Sequence, residues 1–264
     1  MKKLAATLLA VSMALLGTVQ AHADRLQEII ERGVIRIGTP LDTPPFGFVD
    51  ADRNPTGFDV EFAQLVADAL GVELELQQVT AANRVPYLFT DKVDVIISNL
   101  GYSPERAKQV LYTSPYINTF IAVWGPADLE VTSAADVGDN AIALGRGTTP
   151  DLALTQMNPD ANLMRTEDDS TAMTAFLTGQ APLLAANDVQ IEALKLQNPG
   201  LDVELKFRIR NSPSHMAVQM DQHNLLAWLN SFIFFSLNTG DLNRLNEKYL
   251  GRPIGEVPHY LPTF

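Results

Sequence analysis

The chain has 264 residues and no cysteine, and its 31 acidic residues outnumber its 19 lysines and arginines, which gives a formal net charge of −12 at pH 7. Disulfide bonds therefore cannot stabilise the fold, and the acidic balance argues against binding to nucleic acid or to an anionic membrane surface. The four histidines are scattered, with no pair at the spacing that zinc sites usually show. The sequence therefore indicates neither a metal site nor a cofactor.

The first 23 residues, MKKLAATLLAVSMALLGTVQAHA, have the pattern of a secretory signal peptide. Two lysines precede an apolar run that is too short for a membrane span, and Ala21-His22-Ala23 has the form of a cleavage site. We therefore predict that the mature chain starts near Asp24 and is exported to the periplasm. The remaining length of about 240 residues is enough for one large domain or two smaller ones.

The first half of the mature chain alternates between predicted strands and helices. VIRIGT (34–39) is typical of a strand, and GFDVEFAQLVADALG (57–71) has apolar residues at helical spacing and ends at a glycine. VELELQQV (72–79) alternates as a strand, ANRVPYLFTDK predicts a short helix, and VDVII predicts a buried strand. This β–α–β–α–β order predicts a parallel sheet covered by helices.

The alternation starts again after the SPYINTF segment, residues 114–120. The predicted strands there are FIAV, AIAL, PLLAA and VELKFRI. The predicted helices follow GRGTTPD or lie in DDSTAMTAFLTG, NDVQIEALKLQN, NLLAWLNSFIFFSLNTG and DLNRLNEKYLG. Two α/β units in one chain of this length predict two lobes, each with its own sheet.

Three junctions between a predicted strand and the following helix carry polar residues suited to a ligand. They are NLGYSPER, GRGTTPD and AAND. Ligands collect at such junctions because the N–H groups of helix N-termini point outward there. Arg106 lies in the first turn of its predicted helix, where a cation opposes the helix dipole. Together with the hydroxyls of Thr148 and Thr149 it would make a carboxylate clamp, although each junction alone also fits an ordinary helix cap.

The order of these segments resembles the periplasmic solute-binding proteins of polar amino-acid ABC transporters, solute-binding protein family 3. The resemblance covers the whole mature chain and rests on RGVIRIGT, PPFGFVD, GFDVEFAQLVADALG, SPERAKQVLYTSPY, the GTT turn and GDLNRLNEKYLG. It implies the two-lobed α/β fold of type II periplasmic binding proteins, in which each lobe is a mainly parallel sheet flanked by helices. Two hinge strands, near residues 114–118 and 211–215, would join the lobes. Lobe 1 would be residues 24–115 plus 213–264, and lobe 2 would be residues 116–212.

The resemblance also implies which residues hold the ligand's carboxylate. Arg106 matches the family arginine that grips the α-carboxylate, and Thr149 with the backbone around Thr148 matches the contacts from the other lobe. Where the family commonly has a serine or threonine, this chain has Gly101, which leaves only backbone groups. Asn99, two residues before Gly101, is also predicted to be a ligand-binding residue.

The rest of the predicted pocket departs from the family pattern. The family aspartate that binds the α-ammonium is matched here by Asn187, which supplies no charge. Asp188 or Asp169 would therefore have to substitute for it. An aromatic residue that often stacks on the ligand is matched by Thr43.

Arg84, in the segment ANRVPYL, is expected to face the side chain of the ligand. It matches an arginine that faces this side chain in the glutamate- and aspartate-binding branch of the family. Arg84 therefore favours an acidic or amide side chain, whereas Asp42 and Asp169 favour a polar neutral or a cationic one. The residues leave the choice open.

Two classes of function fit this resemblance. The first is a non-catalytic, monomeric binding protein that closes on a polar amino acid and presents it to an inner-membrane ABC permease. A carboxylate without an amino group would also suit Asn187. The second is an enzyme similar to the cyclohexadienyl dehydratases, whose general-acid glutamate is matched by Gln190. An amide cannot serve as a general acid, so we expect no catalytic residues and no enzyme activity.

Overall fold

The computed structural model describes residues 24–255 and residue 257. The predicted signal peptide, residues 1–23, lies outside the described residues. In the described part the helices are α1 (Arg25–Arg32), α2 (Phe58–Leu70), α3 (Arg84–Phe89), α4 (Pro104–Ala107), α5 (Thr149–Met157), α6 (Asp169–Leu177), α7 (Asp188–Gln197), α8 (His223–Thr239) and α9 (Asp241–Leu250). The strands are β1 (Val34–Thr39), β2 (Phe48–Val49), β3 (Pro55–Thr56), β4 (Glu73–Gln78), β5 (Val95–Gly101), β6 (Val110–Ile117), β7 (Phe120–Gly125), β8 (Ile142–Gly145), β9 (Leu163–Thr166), β10 (Leu183–Asn187), β11 (Glu204–Asn211) and β12 (Ser214–Gln219).

The first sheet has the strand order β4-β1-β5-β12-β6. Strand β1 pairs in parallel with β4 and β5, whereas β12 pairs antiparallel with β5 and β6. Four of its five strands therefore run in the same direction. We call this sheet and the helices packed on it, α1 to α4, α8 and α9, the first lobe.

The second sheet repeats this arrangement with the order β11-β7-β10-β8-β9. Strand β8 pairs in parallel with β9 and β10, whereas β7 is antiparallel to both β10 and β11. Here too a single strand, next to one outer strand, opposes the other four. This sheet with α5, α6 and α7 forms the second lobe, so the predicted two-lobed fold with mainly parallel sheets is confirmed.

The chain crosses between the lobes twice, after β6 and after β11. Strand β6 stays in the first sheet as far as Ile117, which pairs with Ser214 of β12. Next to this pair the backbone N–H of Ser212 donates to the carbonyl of Thr119 over 2.9 Å, and the Thr119 hydroxyl donates to the Ser212 carbonyl over 2.7 Å. The two crossing segments are therefore hydrogen-bonded to each other.

Each lobe has its own apolar core. In the first lobe, α2, α8 and β6 contribute aromatic rings that stack, with the Phe62 ring 5.1 Å from Tyr116 and 5.7 Å from Phe232. In the second lobe, Trp124 and Phe176 lie in a cluster on one face of the sheet, and Phe207 lies in a separate cluster. Because side chains of this size each bury a large apolar area, each lobe contains the apolar contacts that stabilise it. In the described part of the chain, no helix combines the length and the hydropathy that a membrane crossing needs.

Candidate functional site

A cavity lies between the two lobes, at the carboxyl ends of the strands. The first lobe lines it with residues that follow β1 and β4 and with the end of β5, and the second lobe with residues around the ends of β8, β9 and β10. Helices α5, α6 and α7 begin at this edge, so the positive ends of their dipoles lie beside the cavity. Open parallel sheets commonly bind their ligands in this position.

Seven of the ten predicted ligand-binding residues line the cavity. They are Thr43, Arg84, Asn99, Thr148, Thr149, Asp169 and Asn187. Gly101, Arg106 and Asp188 are buried nearby but do not line it. The fold thus brings predicted residues from both lobes around one space.

Arg106 connects the two lobes. Its Nη1 donates to the carbonyl of Gly101 over 2.9 Å and to Oγ1 of Thr149 over 3.1 Å, and its Nη2 donates to the carbonyl of Gly147 over 2.5 Å. Ser103 caps its helix, because the Ser103 hydroxyl accepts from the Arg106 N–H over 3.2 Å. Burial lowers the pKa of Arg106 from its usual value. The guanidinium therefore stands beside the first turn of α5 and, like Thr149, is buried.

Gly101 has no side chain, and this leaves space for the side chains of Ser212 and Thr149. A Cβ atom at this position would lie 2.4 Å from the Ser212 hydroxyl and 2.6 Å from the Thr149 hydroxyl. Both distances are shorter than a van der Waals contact, so a serine or threonine here would push these side chains away. The glycine therefore allows Thr149 to reach Arg106.

Thr148 and Thr149 have different roles at the start of α5. Thr148 is the N-cap, since its hydroxyl accepts from the Asp151 N–H over 3.3 Å and donates to the Gly145 carbonyl over 2.8 Å. Thr149 is the first residue of the helix and accepts from Arg106. The cap fixes the turn, and the next residue presents its hydroxyl to the arginine.

Arg84 is a buried cation that faces the cavity. It begins α3, and its Nη1 donates to the Ser98 carbonyl over 2.6 Å. Its Nε is buried and has no hydrogen-bond partner among the described residues. Burial and the charge of Arg106 lower the pKa of Arg84 to about 9. A buried cation with an unused donor is unfavourable, so an acceptor or a negative charge in the cavity would stabilise Arg84.

Asp169 is a half-buried carboxyl group on the same cavity. It is the first residue of α6, and its Oδ2 accepts from Nε2 of Gln190 over 3.2 Å. Burial raises the pKa of Asp169 to about 6, although the hydrogen bond from Gln190 and the charge of Arg84 oppose this rise. No ion pair within 4.0 Å joins Asp169 to Arg84, so among the described residues opposite charges face the cavity without neutralising each other directly.

Asn187 and Asp188 lie at the junction of β10 and α7, and only the first lines the cavity. The Oδ1 of Asn187 accepts from the Gln190 N–H over 2.9 Å, and Oε1 of Gln190 accepts from the Asn187 N–H over 3.1 Å. This capping box engages Oδ1 of Asn187, the residue that matches the family aspartate for the ammonium. Asp188 accepts from the Phe120 N–H over 3.1 Å and forms an ion pair of 2.6 Å with Arg252. Of the two acidic substitutes proposed from the sequence, the structure therefore places Asp169 at the cavity and Asp188 away from it.

Thr43 and Asn99 line the first-lobe side. The Thr43 hydroxyl donates to Asp42 over 3.0 Å, and burial raises the pKa of Asp42. Asn99 has a φ of 41°, a left-handed conformation that is rare for a residue other than glycine. Its N–H donates to Asp59 over 2.8 Å. Within residues 24–255 and 257, no group of three histidine, aspartate or glutamate side chains is arranged to hold a metal ion.

A model of the bacterial extracellular solute-binding proteins, family 3, matches residues 35–252. The chain belongs to this family. The match spans both sheets and includes all ten predicted ligand-binding residues. The resemblance inferred from the sequence is therefore confirmed.

Three relatives of this family-3 protein indicate the range of functions around it. The chain is 28% identical to the L-cystine-binding protein TcyJ of Escherichia coli (strain K12) over 251 residues, which are 93% of this chain and 94% of that protein. A solved solute receptor for L-cysteine of Neisseria gonorrhoeae has 33% identity and a TM-score of 0.80, and the match covers 87% of this chain and 95% of that one. A cyclohexadienyl dehydratase of Pseudomonas aeruginosa is 26% identical over 190 residues, 70% of each chain.

Several residues that line the cavity of this family-3 protein are not among the ten predicted ones. Ser98, Thr119, Asp168, Gln190 and Ser212 all contribute to it. Thr119 and Ser212 lie at the two crossings, and the hinge inferred from the resemblance could have indicated them. Ser98 contributes through its place in the fold, and no local pattern in the sequence distinguishes it.

Proposed function

We propose that the protein is the substrate-binding component of an ABC transporter, exported to the periplasm, and that it binds a polar amino acid between its two lobes. The observation that carries the proposal is a cavity between the lobes that is lined by a buried guanidinium, Arg84, whose Nε has no partner among the described residues, and by a half-buried carboxyl group, Asp169. These groups complement a zwitterion. The names of the relatives support the same class, since two of the three bind an amino acid.

Each polar group of such a ligand has a partner in this arrangement. The α-carboxylate would accept from Arg106 and from Thr149 at the start of α5, in place of the Gly147 carbonyl that Arg106 contacts here. The α-ammonium would donate to Asp169. Arg84 would face the ligand's side chain. The ligand thus completes hydrogen bonds that the protein alone leaves open.

Binding is coupled to movement of the lobes about the two crossings, residues 118–119 and 212–213. This hinge follows from the sheets, because β6 and β12 belong to one sheet and β7 and β11 to the other. The crossings overlap the segments 114–118 and 211–215 that the resemblance implies as hinges, and the hinge and the lobe boundaries stay predictions. A ligand that touches both lobes favours the closed form, which would then be recognised by a permease.

The proposal is tested by a thermal-shift screen on the mature chain after unfolding and refolding to remove any bound ligand. The panel holds the twenty amino acids, their deaminated and decarboxylated analogues, prephenate and arogenate. A compound present at about 100 times its dissociation constant adds about 2.7 kcal/mol of stability, which such a screen detects. A shift with an α-amino acid, and none with either of its truncated analogues, is the expected result.

Other outcomes of the screen would change the substrate class or the kind of function. Shifts with deaminated acids alone would show a ligand without an ammonium and would overturn the role of Asp169. Prephenate and arogenate are also incubated with the protein and assayed for product, and turnover of either would overturn the binding-protein proposal. We do not expect turnover, because Gln190 stands at the position of the general acid and is engaged in the capping box.

We expect affinity for the amino acid found in the screen to increase with pH around pH 6. The pKa of Asp169, raised to about 6, means that the carboxyl group is protonated in the free protein at lower pH, whereas the ammonium requires the ionised form. Affinity should rise about tenfold between about pH 5 and pH 7 and then level off. Isothermal titration at several pH values measures this.

The Asp169→Asn variant is the control for this pH dependence. Asp42 faces the same cavity and its pKa is also raised, so a comparison with the variant is needed to assign the effect. The variant should bind more weakly than the wild-type protein near neutral pH, with an affinity that no longer changes over this range. A variant with the wild-type slope would assign the pH dependence to Asp42 or another group.

We expect Arg252→Met to speed ligand release without unfolding the protein. Arg252 lies in the first lobe after α9, and its ion pair with Asp188 of α7 joins it to the second lobe. The Arg252 side chain is 37% exposed, so the pair contributes at most about 1 kcal/mol and the release rate should rise no more than about fivefold. Stopped-flow fluorescence measures the rate.

A matched control is Arg244→Met. Arg244 pairs with Asp241 over 3.1 Å inside the first lobe, so its loss should leave the release rate unchanged. Equal rates for the two variants would show that the Arg252–Asp188 pair does not favour the closed form.

A further inference from the structure

Asp59 is a charged residue in the aromatic core of the first lobe. It is the second residue of α2 and has no exposed surface. Its neighbour Phe58, together with Phe62 and Tyr116, forms a group of stacked and tilted rings. Asp59 does not line the cavity, so neither the family comparison nor the proposed function gives it a role. A carboxyl group in such a place is unfavourable unless its oxygens accept hydrogen bonds.

Both oxygens of Asp59 do accept hydrogen bonds. The hydroxyl of Tyr116, near the end of β6, donates to Oδ1 over 2.8 Å. The backbone N–H of Asn99, near the end of β5, donates to Oδ2 over 2.8 Å. The second bond is notable because Asn99 lines the cavity.

Asn99 has an uncommon backbone conformation. Its φ of 41° lies in the left-handed region, which asparagine adopts more readily than most residues with a side chain but which neighbouring groups still have to favour. Two contacts favour it here. Asp59 accepts from its N–H, and the hydroxyl of Ser214 donates to its Oδ1 over 2.7 Å.

The peptide unit between Ser98 and Asn99 links Asp59 to the cavity. In a planar trans peptide the N–H and the C=O point in opposite directions. The N–H points to Asp59, and the C=O on the other side accepts from Nη1 of Arg84 over 2.6 Å. The order of groups is therefore carboxylate, peptide, guanidinium. The carboxyl group of Asp59 accepts at one end of this peptide dipole and the guanidinium of Arg84 donates at the other, so the two hydrogen bonds strengthen each other.

The pKa of Asp59 reflects both its burial and its contacts. Burial raises the pKa of Asp59 to about 7, while the hydrogen bonds from Tyr116 and Asn99 and the charge of Arg84 act in the opposite direction. No ion pair within 4.0 Å joins the two residues among those described, so the peptide is the connection between them.

We propose that Asp59 is a positioning residue of the binding cavity, which fixes the Ser98–Asn99 peptide and, through its carbonyl, the guanidinium of Arg84. Only the consequence for binding rests on the proposed function, in which Arg84 faces the ligand's side chain. The positioning itself is a property of the ligand-free protein and can be measured there.

The first experiment measures hydrogen exchange of the Arg84 Nε–H by NMR in the ligand-free protein, with the signal assigned by its absence in Arg84→Met. Asp59→Ala should speed this exchange about tenfold or more, because the carbonyl that holds the guanidinium is no longer fixed. Tyr116→Phe is the control. It removes the hydrogen bond to the other oxygen of Asp59 and leaves the one to Asn99, so the rate should stay within about twofold of the wild-type rate. If Asp59→Ala does not fold, Asp59→Leu replaces it, since an apolar side chain suits the surrounding core.

An unchanged rate in the Asp59 variant, or an equal increase in Tyr116→Phe, would overturn the proposal. The first result would show that Arg84 does not depend on Asp59, and the second that any disturbance of this core has the same effect.

The second experiment measures the affinity for L-glutamate, whose side chain can reach Arg84, and for L-alanine, whose side chain cannot. Asp59→Ala should weaken glutamate binding about tenfold more than alanine binding, and it should have no such effect in an Arg84→Met background. A loss that is the same for both probes and persists in that background would contradict positioning through Arg84. If neither probe binds the wild-type protein, the proposed ligand class fails, and the exchange rate in the ligand-free protein still decides the role of Asp59.

Discussion

We expect Arg106→Ala to weaken binding of the amino-acid ligand by about 100-fold or more. The guanidinium is buried, and the cavity-side Thr149 hydroxyl is already one of its partners. A carboxylate that enters this space exchanges its hydration for a bidentate, charge-assisted contact and also draws the two lobes together. The variant loses both contributions. Isothermal titration with the amino acid identified by the screen measures the change.

Two further variants separate the possible causes of this loss. Arg106→Lys keeps the charge but not the fork of donors, so it should recover only part of the affinity. Arg210→Ala removes another contact between the lobes, in which Nη2 donates to the Tyr102 carbonyl over 2.7 Å, away from the lining of the cavity. It should change the affinity only a few-fold, about 1 kcal/mol or less. A loss as large as that of Arg106→Ala would mean that Arg106 acts by closing the lobes and not by binding the carboxylate.

Arg84 provides the competing model. It lines the cavity and Arg106 does not, and its Nε has no partner among the described residues. If Arg106→Ala binds normally while Arg84→Met does not bind at all, then Arg84 holds the α-carboxylate and Arg106 only joins the lobes. If both variants weaken binding but only Arg84→Met changes the preference among side chains, the proposed arrangement is correct.

The helices and strands with strong local signals could be predicted from the sequence. The segment GFDVEFAQLVADALG has apolar residues at helical spacing and ends in a glycine, and the structure has α2 at Phe58–Leu70 with Gly71 as its cap. The missed elements lack such signals or depend on distant partners. Strand β6 contains Pro115 and pairs with β12, about a hundred residues later in the chain. Strand β9 has only four residues, all half-buried.

Helix α1 is a different case because its signals are present. Asp24 caps it by accepting from the Leu26 N–H over 3.1 Å, and Gly33 ends it in a left-handed conformation. This helix is not among the elements predicted above. Aspartate before the first turn and glycine after the last would have been sufficient to predict the helix.

The candidate site could be predicted in position but not in its contacts. The sequence gives residue types at strand ends, and parallel sheets collect those ends at one edge, so most of the predicted residues line the cavity. Whether Asn187 or Asp188 faces the cavity depends on the residue at which β10 becomes α7. That boundary also decides that Asp188 pairs with Arg252, which is 64 positions away. Long-range partners of this kind leave no pattern in a single sequence.

We expect Asp94→Ala to lower the free energy of unfolding of the protein. The Asp94 side chain is fully buried at the start of β5 and forms ion pairs with Arg36 over 2.8 Å, Arg32 over 2.6 Å and Arg25 over 3.5 Å. It also accepts from the backbone N–H of Arg36 over 2.8 Å. Removal of the carboxylate leaves three guanidinium groups close together without the acceptor that they share. The free energy of unfolding should fall by about 3 kcal/mol, the lower end of the range for buried pairs, because the arginines remain partly in water.

Urea denaturation of the ligand-free protein measures this loss. The matched control is Asp91→Asn, because Asp91 has a φ of 53°, which asparagine tolerates and alanine does not. Asp91 also pairs with Arg25, over 2.5 Å, but its side chain is 58% exposed, so its removal should cost less than about 1 kcal/mol. Equal losses would mean that water replaces the carboxylate at both positions.

Asp94 and the cavity residue Asn99 lie near opposite ends of β5, and Asp59, not Asp94, holds Asn99. The affinity of folded Asp94→Ala should therefore equal that of the wild-type protein. If it falls as well, the position of Asn99 depends on the whole strand and not on Asp59 alone.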